Sequence, residues 1–175
     1  MMSGVRVVIW IIEGTWQGCI DAAVKVIPPE ADVVLLHYTP TDAAAAADAA
    51  SANLLGRFGH KPAPPMHQIA VEEATQLLAA AAARLGRGDV EQRHIEGGRI
   101  EREVVGAVAE NVDLLVAARD GDRSRLGPHS LGHATRFVVD HAPCAVLLVW
   151  PDESPGIGSI PPPPPHGHHA PPRPI

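Results

Sequence analysis

Aromatic residues make up only 3% of this 175-residue sequence, cysteines number two, and basic residues are outnumbered by acidic ones, 14 against 20. Each shortage excludes something. With few rings to stack on bases and a formal net charge of −6, the chain lacks the basic, aromatic surface of a general nucleic-acid binder. Cys19 and Cys144 stand too far apart for a metal-ligand or redox-pair spacing, and so read as two buried thiols. No run approaches the roughly 18 uninterrupted apolar residues of a membrane span. The short apolar run near the start comes too early and lacks the cleavage pattern of a signal peptide. The reading is a cytoplasmic protein with neither a nucleic-acid nor a membrane partner.

What the chain does have is apolar residues, 46% of the total, enough for one real core. Ten of its 18 prolines fall in residues 151–175, which divides it into a folded domain, 1–150, and a disordered, polyproline-like tail, 151–175. The tail carries −1 of the net charge, Arg173 against Asp152 and Glu153, and the body −5.

Residues 5–12, VRVVIWII, form a β-branched run suited to a strand buried on both faces. After Glu13-Gly14-Thr15, the residues Trp16, Ile20, Ala23, Val24 and Ile27 share one helical stripe, which Pro28-Pro29 ends. Val33-Val34-Leu35-Leu36 reads as a second buried strand, followed by an alanine-rich, breaker-rich excursion over 41–65. Ala70, Ala74, Leu77, Leu78, Ala81 and Leu85 mark a long amphipathic helix closed by Gly86, and a short strand is expected over 90–96. Ile100, Val104 and Val108 predict a third helix, and 112–118, VDLLVAA, a buried strand. Beyond a polar loop, Leu131, Thr135, Val138 and Val139 predict a helix, and 145–150 the last strand. The order βαβαβαβαβ implies an α/β fold: a parallel sheet with helices on both faces and a ligand crevice beyond the strands' carboxyl ends.

His141-Ala142-Pro143-Cys144 before an apolar strand, Glu13-Gly14-Thr15 after the first strand and Glu96-Gly97-Gly98 before the third helix together resemble the universal stress protein family. The likeness covers residues 5–150, densely at the C-terminal end and thinly between 40 and 88. It implies a five-stranded, adenine-nucleotide-hydrolase-like fold, dimeric through the last strand. The family's ATP-binding branch carries a glycine, two residues, a glycine, nine residues, then glycine and a hydroxyl. Aligned on 141–144, those positions hold Arg119, Asp122, Gly132 and His133, so only the third glycine survives. The first-strand aspartate of the family is Glu13 here, while Thr15 keeps a hydroxyl.

The degenerate nucleotide crevice would therefore comprise Glu13, Gly14, Thr15, His37, Arg119, Gly121, Gly127, Gly132 and His133. Gly121 and Gly127 offer a shifted loop, and Arg119, Arg123, Arg125 and Arg136 against Asp120 and Asp122 leave residues 119–136 at +2, so ATP stays an open ligand. No cofactor is otherwise indicated. The resemblance implies a non-catalytic regulator of the stress response, working as a homodimer or with another protein. An adenine-nucleotide sensor is the alternative, and a nucleotide-hydrolysing enzyme a third, although no GxSxG, P-loop or CxxC is present.

Other features read as ordinary. His129 and His133 are spaced for one helix face, but Gly132 places His129 in the loop, so no metal site is expected. Glu72, Glu73, Glu101 and Glu103 read as solvated helix faces, Trp10 as a packing residue and Trp150 as packing at an interface. His166, His168 and His169 belong to the solvated tail.

Overall fold

A computed structural model describes residues 4–40 and 66–163. Strand β1 (Arg6–Trp10) leads to helix α1 (Trp16–Val26), β2 (Asp32–Thr39), α2 (Met66–Leu85), β3 (Glu91–Glu96), α3 (Ile100–Ala107), β4 (Leu114–Ala118), α4 (His133–His141) and β5 (Ala145–Val149). All four strand pairings are parallel and the sheet order is β3-β2-β1-β4-β5. The chain thus turns back on itself between β1 and β4, where the crevice of such a sheet opens.

The run of apolar residues in β1 has its reason in this topology. Val7 and Ile9 point to one face with Val33, Leu35 and Val116, under Cys19, Ile20 and Ala23 of α1 and Leu78 and Ala81 of α2. Val8 and Trp10 point to the other with Val34, Leu36 and Leu115, under Val104 of α3 and Val138 of α4. Both faces are covered, so every position needs an apolar side chain, and each buried Leu, Ile or Val stabilises the fold by about 1.5–3 kcal/mol.

The breakers act where expected. The helix α1 gives way to extended backbone at Ile27 ahead of Pro28, and α2 ends at Gly86, whose φ of 72° suits glycine. Arg84 grips Asp21 through two bonds of 2.7 Å, tying α2 to α1. The excursion 41–65 and residues 164–175, with their three histidines, lie outside the described residues.

Two expectations need correcting. Residues 151–163 do not trail away as disordered chain: Asp152 pairs with Arg123 at 2.7 Å, the Leu126 N–H donates to Ser159 Oγ at 3.0 Å, and Ile157–Ser159 forms a 3-10 turn. Polar groups, not apolar burial, anchor this stretch, which hydropathy does not register. Glu101 is buried rather than solvated. It stands in the first turn of α3, where its own backbone N–H and then Arg99, 2.5 Å away, hold its carboxyl below the usual range.

Candidate functional site

The strand carboxyl ends carry two distinct assemblies. The first is a cleft of about 490 Å³ whose lining includes Glu13, His37, Tyr38, Thr39, Glu73 and Gln76. Gly14 takes a φ of 77° in the turn after β1, so the chain reverses there into α1. Thr15 is buried, and its hydroxyl donates back to the Ile12 carbonyl at 3.2 Å instead of facing the crevice. His37 lies 2.8 Å through Nδ1 from the Ile11 carbonyl. A carbonyl only accepts, so Nδ1 bears the hydrogen. Glu13 and His37, far apart in sequence, thus line one cleft.

The second assembly is the loop between β4 and α4, and it is closed on itself. The Gly121 N–H donates to the Ser130 carbonyl at 2.9 Å and the Asp122 N–H to the His129 carbonyl at 2.8 Å. At Gly121 a Cβ would stand 2.5 Å from the His129 carbonyl oxygen, so only glycine fits between these strands of the loop. Gly127, with a φ of 119°, begins the 3-10 turn Pro128–Ser130, and fully buried Ser130 donates to the Gly127 carbonyl at 2.7 Å. Gly132 precedes α4, and its N–H donates to Asp120 Oδ1 at 2.8 Å. A carboxylate of the chain itself thus occupies the start of a helix, the place with the strongest call for an anion.

Arg119, Arg123 and Arg125 of the loop and Arg136 of α4 are also engaged. The Arg119 guanidinium donates to Ser130 Oγ at 2.5 Å and lies over the Trp150 ring, 5.0 Å from its centroid. Arg123 pairs with Asp152 at 2.7 Å and Arg125 with Asp122 at 2.8 Å, while Arg136 donates to the Pro128 carbonyl. The exposed pairs are weak, about 0–1 kcal/mol each, but together with the Asp120 bond they use the donors that an incoming phosphate would need.

Of the nine residues singled out from sequence, Glu13 and His37 come together at the cleft, and Arg119, Gly121, Gly127 and Gly132 come together in the loop. None of the loop residues lines the cleft. His133 opens α4, exposed, within electrostatic reach of Glu101 of α3. His129 lies in the 3-10 turn, so it shares no helix with His133. Sequence reasoning passed over Asp120 as one charge in a loop total and Ser130 altogether. Only the folded path of the loop brings either to its partner, since Asp120 and Gly132 are 12 residues apart.

An open parallel sheet reversing between β1 and β4, with a glycine loop and a helix start beyond the strand ends, defines a doubly wound α/β fold. The chain belongs to the universal stress protein family, whose model matches residues 22–149.

Three solved structures share the fold. The hypothetical protein MJ0577 is 18% identical with a TM-score of 0.59, over 86% of this chain and 98% of that one. The universal stress protein UspA from Lactobacillus plantarum is 20% identical with a TM-score of 0.56, over 85% and 99%. A universal stress protein solved in complex with cAMP is 17% identical with a TM-score of 0.55, over 86% and 99%. No match is found among curated proteins. Among the described residues no helix is long and apolar enough to cross a membrane, and no group of three His, Cys, Asp or Glu is placed to hold a metal.

Proposed function

We propose that this chain is a non-catalytic regulator of the stress response, cytoplasmic, whose ancestral nucleotide loop now serves to stiffen the protein. The observation that carries this reading is the bond from the Gly132 N–H to Asp120 Oδ1. A phosphate approaching α4 would have to displace a tethered carboxylate and face its charge.

Dimerisation through β5 is part of the proposal. The strand stands at the edge of the sheet, with Leu147, Leu148, Val149 and Trp150 bordering a groove against α1. An apolar edge strand left uncovered invites pairing with a second copy. Sedimentation that returned a monomer at high concentration would remove this part.

The second reading, an adenine-nucleotide sensor, rests on the relative solved with cAMP and on the exposed arginines, which a ligand could recruit from weak pairs. Calorimetry with magnesium and ATP separates the two. We expect no heat of binding from the parent protein, and binding from a variant in which Arg119, Asp120 and Asp122 are all replaced by glycine. Saturation of the parent at micromolar ATP would replace the first reading with the second.

A further inference from the structure

Four titratable side chains from three elements meet at the carboxyl ends of β2 and β3. His37 and His94 are register partners, their rings stacked with centroids 5.8 Å apart and planes inclined by 24°. The Glu96 carboxylate stands between two imidazoles, Oε1 lying 3.5 Å from Nδ1 of His94 and Oε2 3.6 Å from Nδ1 of His67 in the first turn of α2. Nε2 of His94 lies 2.9 Å from Thr39 Oγ1. By the two-residue alternation of strands, His37, Thr39, His94 and Glu96 all face the side of the sheet that carries α2.

The groups acting on His94 are thus His37 from β2, Glu96 from its own strand and His67 from α2. The carboxylates Glu13 and Glu73 belong to the cleft that His37 lines. These side chains do not converge as metal ligands.

We propose that His37, His67, His94 and Glu96 form a proton-sensing latch, which fastens the start of α2 to the sheet edge near neutral pH and lets it loosen in acid. The charge count gives the reason. Of the three side chains whose charges act on His94, one is a carboxylate and two are imidazoles. A first proton is accommodated between Glu96 and the His94 ring, but further protons place like charges on the stacked ring of His37 or on His67 across the same carboxylate. Thr39 adds a constraint, because its single hydroxyl must turn from donor to acceptor once Nε2 of His94 gains a hydrogen.

Burial supports the same direction: it is the largest cause lowering the pKa of His94, His37 and His67 add to it, and only Glu96 opposes. A histidine released from the cluster takes up its proton near the ordinary value of about 6.5. The latch is therefore fully closed above that value, and its contribution is lost as the pH falls from there through the lower value of the folded state. His37 carries the consequence to the cleft that it lines together with Glu13.

The experiment is a pH titration of the intact protein, following the His94 ring by NMR and amide exchange over residues 66–74 and 91–96. We expect a His94 midpoint below about 6.5. After correction for intrinsic rates, exchange in both segments should rise about tenfold between neutral pH and pH near 5, a factor that corresponds to about 1.4 kcal/mol. His94→Gln should flatten that response, His133→Gln should leave it intact, and Glu96→Gln should lower the His94 midpoint further. A midpoint at or above the ordinary value in the unsubstituted protein overturns the latch even if every variant fails to fold. So does an acid response that survives His94→Gln unchanged.

Discussion

The Asp120 carboxylate accepts the N–H of Gly132 at 2.8 Å, so the first turn of α4 is met by an anion that the chain carries with it. The fit is tight: a Cβ on Gly132 would lie 2.8 Å from Asp120 Oδ2 and 2.9 Å from Oδ1. Asp120→Ala should remove a cap worth about 1–2 kcal/mol. For a chain of this size that lowers Tm by about 2–8 °C. Asp120→Asn, which keeps an acceptor but not the charge, should recover part of the loss. Thermal unfolding followed by circular dichroism measures both, and an Ala variant as stable as the parent would show that the contact contributes nothing.

The sheet faces make a second, contrasting pair. Leu35 is 0% exposed on the α1 and α2 face, whereas Val24 on α1 is 57% exposed. Leu35→Ala should cost about 2–5 kcal/mol, and Val24→Ala less than about 0.5 kcal/mol. Denaturant midpoints decide it, and comparable losses at the two positions would contradict the layering.

The cysteines differ in what limits their reactivity. Burial pushes the Cys19 thiol up to about 12, and it also raises the half-buried Cys144. At pH 8 neither is appreciably thiolate, the reactive form. A disulfide reagent should label Cys144 slowly and Cys19 only at the rate at which the protein opens. Immediate labelling of Cys19 under native conditions would mean that the α1 side of the core is loosely packed.

Residues 151–163 give a further contrast. Ending the chain after residue 163 leaves the Arg123–Asp152 pair and the Leu126–Ser159 bond in place, and Tm should not move. Ending it after residue 150 removes both, at a cost of about 1 kcal/mol. Equal melting temperatures for the two truncations would show that the first part of the tail contributes no stability.

Much of the architecture was legible because it depends on local rules. The β-branched run 5–12, the stripe through Leu78 and Ala81, Pro28-Pro29 and Gly86 each act within a few residues of themselves, and the succession of strands and helices along the chain followed from them. The site was legible only in its membership. Glu13, His37 and the loop glycines were picked out by position after strands, but that Glu13 and His37 share a cleft while the glycines close a separate loop was not. Arg119 counted as free positive charge until the fold set it over Trp150.

What the sequence alone determined is the alternation of strands and helices and the two-sided burial of the sheet. These are properties of neighbouring residues, enforced by backbone sterics and by the period of each element. The tertiary structure decided that Asp120 meets Gly132, that His37 stacks on His94 and that the arginines find internal partners. Such contacts join residues whose separation along the chain bears no fixed relation to their separation in space. Their strength comes from charge, direction and burial, which exist only once the chain has folded.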